Sequence, residues 1–364
     1  MSWFKKLVGG SSNTPAAQPR ASRPIPQQTD SKPLPFIDDE SIQALAEATS
    51  DLYSVPLHEA ADEDIAYTAW DAEFGNRLNE VEKLRRKHPV ASEQDDVAEL
   101  IRSLSDGPDA VIRQLPSAAR DTLMLLDDEN VSRAKLADTL GSDPALMQSL
   151  LRTANSAIFS AGRGQVLTIG QSLDRIGVDG ARSVVLASSV QGLLSQPGGE
   201  FTAMANKVWD HMVRMAPLAR ALAPAFSADR EETFAVAVLH DVGKLIVFDR
   251  ISHLRTQRRR SLVIDIGFAS LMLQHVHESL GALAASRWGI GEKGAQAIGT
   301  HHRLGAARTS PNPIAEAVYL AERADHAEQR GETLDLELVW RQGWLSGTPA
   351  AAAVILDEMR AATV

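Results

Sequence analysis

The chain contains 364 residues with a formal net charge of −10, 23% charged residues and no cysteine. The acidic balance argues against nucleic-acid partners and against broad affinity for anionic lipid, because phosphate binding depends mainly on lysine and arginine. The absence of cysteine excludes disulfides and thiolate metal sites. With no apolar run long enough to span a bilayer and no signal peptide at the start, we expect a cytoplasmic protein without a transmembrane segment.

Residues 1–36 are predicted to be a disordered leader and linker. From Gly9 to Pro35 the sequence is rich in Pro, Ser, Gln and Gly and poor in apolar residues, which is typical of a linker. Before it, the stretch MSWFKKL combines Trp3, Phe4 and Leu7 with two lysines. This stretch either makes weak contact with a membrane surface or is part of a plain disordered leader.

Residues 37–105 are predicted to form a helical N-terminal extension, with helices over 38–53 and 62–88. In the second helix, large apolar residues recur at steps of four and three with charged residues between them. They are Trp70, Phe74, Leu78, Val81 and Leu84. This stripe indicates a helix that packs on its own domain, with a partner or dimer helix as the alternative.

The rest of the chain is predicted to form short helices separated by glycine and proline. Pro144 follows two candidate capping residues, Ser142 and Asp143, which is typical of a first helical turn. Thr168 is a further candidate N-cap, and Gly177 and Gly180 punctuate the segment that follows it. Since no convincing alternation of polar and apolar residues indicates strands, the sequence predicts an all-α fold.

The segment SRAKLADTLGSDPALMQSLLRTANS has the outline of a DNA-binding helix-turn-helix. A recognition helix needs polar and basic side chains that face the major groove. The second helix of the segment is instead dominated by Leu146, Met147, Leu150 and Leu151, and Arg152 is its only basic residue. The composition favours an internal packing motif over a DNA-binding element.

Ionisable side chains recur on the apolar faces of five predicted helices, where helical steps of three, four and seven place them beside apolar residues. They are His211, His240 with Asp241, His277, His301 with His302, and Asp325. One inward histidine is usually a hydrogen-bonded core residue. Because unpaired imidazoles and carboxylates are costly to bury, convergence of all five helices on a metal ion is the more economical explanation.

This set mixes nitrogen and oxygen donors without sulfur, which suits Fe, Mn, Co or Zn better than Mg or Ca. The set is large enough for one ion or for two. The competing interpretation is a hydrogen-bonded network of histidine and aspartate without a metal.

The stretch LHDVGK, with WDHMVRMA upstream and HESLGALAASRWGI, HH and a final Asp downstream, resembles the HD superfamily of metal-dependent phosphohydrolases. The preceding half, LPSAARDTLMLLDDENVSRAKLADTLGSDPALMQSLLRTANSAIFS followed by TIGQSLDRIGVDGARSVVLASSV, is similar to the HDOD domain. Together the motifs extend from Leu115 to Asp325. The resemblance implies an all-α multi-helix bundle, with an N-terminal helical subdomain over 106–200 and an HD-like helical subdomain with C-terminal helices over 201–364.

The resemblance also implies roles for the site residues. Those that match the basic HD metal set are His211, His240, Asp241 and Asp325. Those that match the additional ligands of the dinuclear cyclic di-GMP phosphodiesterases of HD-GYP type are His277, His301 and His302. In such a hydrolase, Asp241 and Lys244 would be the catalytic residues, because Asp241 would assist proton transfer and Lys244 would contact phosphate.

Two departures separate this chain from those phosphodiesterases. No Gly-Tyr-Pro signature follows His302, and Lys207 stands four residues before His211, where those enzymes place a glutamate ligand. The departures favour a bacterial signal-transduction or regulatory protein that keeps an HD-type metal site and binds signalling proteins or a nucleotide second messenger. The alternative is a metal-dependent phosphohydrolase that acts on a nucleotide or cyclic dinucleotide.

Overall fold

The computed structural model describes residues 70–126, 128, 130–155, 159, 164–194, 202–260, 262–302, 312–343 and 345–361. The predicted leader and its membrane-contact stretch, the helix over 38–53 and the first part of the helix over 62–88 lie outside the described residues. The division of the chain at residues 105 and 200 stays a prediction.

The described residues form an all-α structure without strands, as the sequence predicts. The first helices are α1 (Trp70–Lys87), α2 (Asp95–Leu104), α3 (Pro108–Val111), α4 (Ser117–Leu126), α5 (Arg133–Gly141), α6 (Pro144–Ala154) and α7 (Ile169–Leu194). The next are α8 (Thr202–Leu222), a 3₁₀ turn (Ala223–Phe226), α9 (Arg230–Leu239), α10 (Val242–Arg258) and α11 (Ile266–Arg287). The last are α12 (Glu292–Thr300), α13 (Pro313–Arg330), α14 (Leu336–Gly343) and α15 (Pro349–Ala361). None of these helices is both long enough and apolar enough to cross a membrane.

Local sequence signals set where the helices begin and break. The Asp143 carboxylate accepts hydrogen bonds from the N–H groups of Ala145 and Leu146 at the start of α6, and Pro144 occupies the first turn. Thr168 Oγ1 accepts from the N–H of Gln171, which confirms the predicted cap of α7. Inside α7, Gly177 has a φ of 75°, a left-handed conformation that a residue with a Cβ adopts only at a cost.

The apolar stripe of α1 is buried within the chain. Trp70, Phe74, Leu78 and Val81 each lie in the core, and Leu84 packs against it. Helix α1 lies along α11 and also contacts α2. The predicted packing of this helix on its own chain is therefore confirmed for the described residues.

Paired charges tie α2 to the end of α10. The guanidinium of Arg260 donates to both carboxylate oxygens of Asp96, at 2.8 and 2.6 Å, and the N–H of Val263 donates to one of the same oxygens at 2.8 Å. Arg258 donates to Glu99 at 3.0 Å. These bonds fix the extension helix to the half of the chain that carries the predicted site.

The helix-turn-helix outline corresponds to α5 and α6. Leu146 and Leu150 are buried, and α6 packs against α7. The apolar face of α6 is therefore turned to the interior, which is the packing role that its composition favours. The absence of a nucleic-acid partner stays a prediction.

Close contact between α10 and α11 brings the two central parts of the site together. A methyl group placed at Gly243 would overlap the backbone of His277, and a methyl group placed at Gly281 would come within 3.5 Å of the backbone nitrogen of Gly243. Glycine at these positions permits the helices to meet backbone to backbone. Asp241, two residues before Gly243, is thereby placed beside His277.

Candidate metal centre

Five helical segments converge on one buried cluster of histidines and carboxylates. His240 and Asp241 occupy the junction between α9 and α10, and both are fully buried. The remaining predicted ligands come from α8, from α11, from the end of α12 and from α13. They are His211, His277, His301 with His302, and Asp325. The structure thus brings together all the residues that the sequence predicted for this site.

Backbone carbonyls fix the orientation of three imidazole rings. In each ring Nδ1 lies within hydrogen-bond distance of a carbonyl oxygen three or four residues earlier. The pairs are His240 with Ala237 (2.8 Å), His277 with Leu273 (2.8 Å) and His301 with Ile298 (2.7 Å). Because a carbonyl oxygen only accepts, Nδ1 carries the proton in each ring and Nε2 presents its lone pair to the cluster. This is the arrangement that metal-binding histidines commonly have.

The first group of potential ligands combines one carboxylate with three histidines. Its donor atoms, from Asp241, His277, His301 and His302, all lie within 4.8 Å of one another. Asp241 Oδ1 is 3.7 Å from His277 Nε2 and 3.8 Å from His301 Nε2. These distances are too long for hydrogen bonds. They are close to the separation of about 3.4 Å expected for two ligands of one tetrahedral ion with bonds of about 2.1 Å.

A second group of potential ligands lies next to the first. Its donor atoms come from His211, His240 and Glu322, again within 4.8 Å of one another. The rings of His240 and His301 are 5.0 Å apart between centroids, and His240 Nε2 is 3.5 Å from Asp241 Oδ2, so the two groups are in contact. Glu322 was not among the residues predicted from the sequence.

Asp325 occupies a different position from the other predicted ligands. The guanidinium of Arg214 donates to both of its carboxylate oxygens, at 2.6 and 2.7 Å. His211 Nδ1 lies 3.0 Å from Asp325 Oδ2. The ring of His326 stacks on that of His211, with centroids 4.9 Å apart. With His211 and His326, Asp325 forms a third group of potential ligands, whose donor atoms lie within 4.8 Å of one another.

Lys244 and Lys207, the two lysines considered in the sequence analysis, lie in different environments. Lys244 is buried, and its Nζ lies 2.7 Å from Asp241 Oδ2. Lys207, which stands in place of a glutamate ligand, is exposed on α8. A lysine directed to solvent does not oppose a cation in the cluster, so the substitution removes a ligand without adding a repelling charge there.

Burial keeps His240, His277 and His302 neutral. It lowers the pKa of His240 to about 3, and the adjacent charge of Asp241 offsets only part of this effect. Burial also lowers the pKa of His277 well below its ordinary value, with Lys244 acting in the same direction. The pKa of His302 is likewise lowered by burial and then by His301. Neutral imidazoles are the form that binds metal ions.

Three of the buried carboxylates of the cluster, Asp241, Asp325 and Glu322, differ in their pKa. Burial alone would raise the pKa of Asp241, but Lys244 and the surrounding histidines hold it well below its ordinary value. Burial would also raise the pKa of Asp325, but hydrogen bonds from Arg214 and His211 lower it strongly. For Glu322, burial and then the charge of Asp241 outweigh the opposing charges of Lys244 and Arg323 and raise its pKa well above its ordinary value.

The cluster has the donors that a transition-metal ion requires. Within the described part of the chain, Nε2 of His211, His240 and His277 and Oε1 of Glu322 are buried and make no hydrogen bond. Buried polar atoms of this kind normally have a partner. A divalent ion would satisfy several of them at once, and imidazole with carboxylate suits Fe, Mn, Co or Zn. The residues present therefore fit a metal ion.

Sequence reasoning missed three polar residues of the cluster besides Glu322. Glu278 accepts a hydrogen bond from the N–H of His302 at 3.0 Å, and Arg214 and His326 surround Asp325 and His211 as described above. Helical spacing contained the signal. Glu322 is four residues after Val318 and three before Asp325, on the apolar face already identified, and the other residues are likewise one to four positions from predicted ligands.

Comparisons with known proteins identify a domain family and a relative of this chain. The HDOD domain matches residues 112–304, just over half of the chain. A relative in Treponema pallidum (strain Nichols), described as uncharacterised, is 24% identical over 239 residues, which is 63% of this chain and 44% of that protein. The chain therefore spans less than half of the length of that relative.

Two solved structures from Shewanella amazonensis SB2B have a similar fold. One, described as a proposed phosphohydrolase, is 22% identical with a TM-score of 0.53, and the match covers 73% of this chain and 96% of that one. The other, described as a proposed metal-dependent phosphohydrolase, is 16% identical with a TM-score of 0.57 and covers 73% of this chain and 97% of that one. At these identities the likeness is one of fold.

Proposed function

Because the chain belongs to the HDOD domain family, as its motifs predicted, we propose that it is a signal-transduction protein that binds regulatory partners and holds a divalent transition-metal ion in its buried cluster. The observation that carries the proposal is the inward orientation of His211 Nε2, His240 Nε2 and His277 Nε2, which make no hydrogen bond among the described residues. A network evolved only for packing would satisfy these atoms with protein donors.

The residues of the two groups would hold the metal. In the first group these are Asp241, His277, His301 and His302, and in the second His211, His240 and Glu322. Fe, Mn, Co and Zn are the candidates, because the donor set is mixed nitrogen and oxygen. When bound, such an ion supplies a Lewis acid and cross-links helices from across the fold.

Burial of the cluster supports a regulatory role over turnover of a large substrate. His211 is 8% exposed, and His240, Asp241, His277, His301 and Glu322 are each 3% exposed or less. The side chain of His302 is more open, at 22%. A site closed to this degree is suited to stabilising one arrangement of the helices. Signalling proteins, or a nucleotide second messenger that reaches the cluster near His302, are the proposed partners.

The experiment expresses the wild-type protein and the Asp241→Asn variant in the native host and compares the two purified proteins. We expect elemental analysis to find Fe, Mn, Co or Zn in the wild type and not in the variant. We also expect the wild type to capture signalling proteins. This binding should be lost when the metal is removed. Identical partners for both forms, together with metal-dependent hydrolysis of phosphodiesters by the wild type, would contradict the regulatory proposal.

A metal-dependent phosphohydrolase is the second candidate function. The observation that favours it is the buried Lys244 beside Asp241, with Nζ 2.7 Å from Oδ2. In a hydrolase, Asp241 would accept or return a proton and Lys244 would neutralise phosphate charge. The test is hydrolysis of bis(p-nitrophenyl) phosphate and of a cyclic dinucleotide in the presence of Mn²⁺. Turnover that is lost in both Lys244→Met and Asp241→Asn would establish this function, and no turnover above the metal-free background would exclude it for these substrates.

A further inference from the structure

Arg214 and His211 contact both oxygens of the Asp325 carboxylate between them. Arg214 Nε donates to Oδ1 at 2.6 Å and Arg214 Nη2 donates to Oδ2 at 2.7 Å. His211 Nδ1 lies 3.0 Å from the same Oδ2. Asp325 is 2% exposed and the Arg214 side chain is 14% exposed, so this ion pair is shielded from water. A two-pronged guanidinium–carboxylate contact is among the strongest and most directional pairings available to these side chains.

We propose that Asp325 is a positioning residue for His211 and that Glu322, one turn earlier on α13, supplies the carboxylate that binds metal in the second group. The inference deepens the proposed function, since it rests on a metal ion in the cluster. It differs from the role that the family resemblance implies for Asp325, which is direct ligation.

The tautomer of His211 follows from the charge of Asp325. A carboxylate held by Arg214 is ionised and accepts hydrogen bonds only, so His211 Nδ1 must be the donor. His211 then carries its proton on Nδ1 and directs the lone pair of Nε2 to His240 and Glu322, with which it forms the second group. A carboxylate that fixes the far side of a ligating imidazole in this way raises its basicity and holds its orientation.

The charge of Arg214 argues against ligation by Asp325. If Asp325 turned to a cation, the guanidinium would lose two short hydrogen bonds in a shielded position and would lie next to a second positive charge. Glu322 meets no such obstacle. Its Oε1 makes no hydrogen bond among the described residues, and its Oε2 is 3.5 Å from His302 Nδ1.

Nitrogen-15 NMR of the histidines in metal-free protein tests the positioning role without any metal. We expect His211 in the wild type to be protonated at Nδ1 and unprotonated at Nε2. In Asp325→Ala we expect a mixture of tautomers for His211 and no change for His277, whose Nδ1 bonds to Leu273. A wild-type His211 protonated at Nε2 would overturn the positioning role, and this result needs no variant that folds.

Metal titration tests which carboxylate is the ligand. We expect Asp325→Asn, which keeps an acceptor oxygen, to weaken binding about 10- to 100-fold with unchanged stoichiometry. We expect Glu322→Gln to lose the ion of the second group. The reverse pattern, in which Asp325→Asn loses the ion and Glu322→Gln keeps it, would overturn the inference. A wild type that binds no metal, with His211 protonated at Nδ1, would refute the proposed function and the ligand role of Glu322 and leave the positioning of His211 by Asp325 in place.

Discussion

The ammonium group of Lys244 lies 2.7 Å from Asp241 Oδ2 inside the cluster, at the first turn of α10. One oxygen of the central carboxylate is thus neutralised by a cation of the chain itself. The other oxygen, Oδ1, faces His277 Nε2 at 3.7 Å and His301 Nε2 at 3.8 Å. Lys244 and a divalent ion would therefore share one carboxylate, and their charges would repel each other.

Replacing Lys244 with methionine should strengthen metal binding. The change keeps the apolar stem and removes a positive charge that lies close to the proposed ion, so we expect affinity for Mn²⁺ or Zn²⁺ to rise by about tenfold or more. The metal-free variant should be less stable, because buried Asp241 loses the charged hydrogen bond from Lys244. Calorimetric titration of Lys244→Met beside the charge-preserving Lys244→Arg provides the measurement. Weaker binding by Lys244→Met than by Lys244→Arg would show that the lysine assists the ion.

The metal-free protein should lose stability as the pH falls below about 6.5. Burial lowers the pKa of His240 to about 3 and lowers the pKa of His277, His302 and His326 well below the ordinary value. These histidines are neutral when folded and take up protons when unfolded, so their stabilisation is present above pH 6.5 and is lost as the pH falls. Each contributes up to about 1.4 kcal/mol per pH unit in that window.

Three carboxylates oppose this trend, because burial raises the pKa of Asp210, Asp249 and Glu322. The raised pKa of Glu322 means that the folded state binds its proton more tightly than the unfolded state, so its contribution is present below about pH 4.5 and is lost as the pH rises. The four histidines outnumber these three carboxylates, so we expect a net loss of stability between pH 6.5 and pH 5. Urea unfolding with chelator at several pH values checks the sign. A free energy of unfolding that is constant or increases on acidification from pH 7 to pH 5 would contradict it.

An alanine at Gly299 should weaken the contact between α1 and the helix that ends beside His301. The ring of Trp70 covers Gly299, and a Cβ there would overlap it. We expect Gly299→Ala to lower the free energy of unfolding by about 1 to 3 kcal/mol. Combining it with Trp70→Leu should cost less than the sum of the two single changes, because the smaller residue makes room for the methyl group.

Gly75→Ala is the matched control for this measurement. Gly75 lies in α1, and no atom within 4 Å would meet an added Cβ. Alanine is the better helix former, so we expect this variant to be as stable as the wild type or slightly more stable. If Gly299→Ala lowers the free energy of unfolding no more than Gly75→Ala does, Trp70 does not pack tightly against α12 in solution.

The sequence predicted which helix faces meet but not which atoms pair. Helical spacing identified the inward face of α13 from Ile314, Val318 and Asp325. Glu322 lies on that same face, and helical spacing alone does not show which of two carboxylates three residues apart binds a metal. In our proposal the contact of Arg214 with Asp325 distinguishes them, and this contact joins residues that are far apart in the sequence. Local patterns do not contain that information.

The elements of the fold were more predictable than the way they are joined. Capping at Asp143 and Thr168 depends on residues within one turn, so it can be predicted from the sequence. Attachment of α2 through Asp96 and Arg260 depends on residues far apart in the chain. Burial of the α1 stripe was predicted, whereas the fit of Trp70 over Gly299 was not.

The metal centre is tested most directly by calorimetric titration of chelator-treated, full-length protein with Mn²⁺, Fe²⁺, Co²⁺ and Zn²⁺. We expect the wild type to bind at least one of these ions with a Kd in the micromolar range or below and to gain thermal stability from it. Asp241→Asn should lose this binding, and Asp174→Asn, which changes an exposed carboxylate, should retain it. A wild type that binds none of the four ions and is unaffected by chelator would contradict the account and leave the cluster as a hydrogen-bonded network without metal.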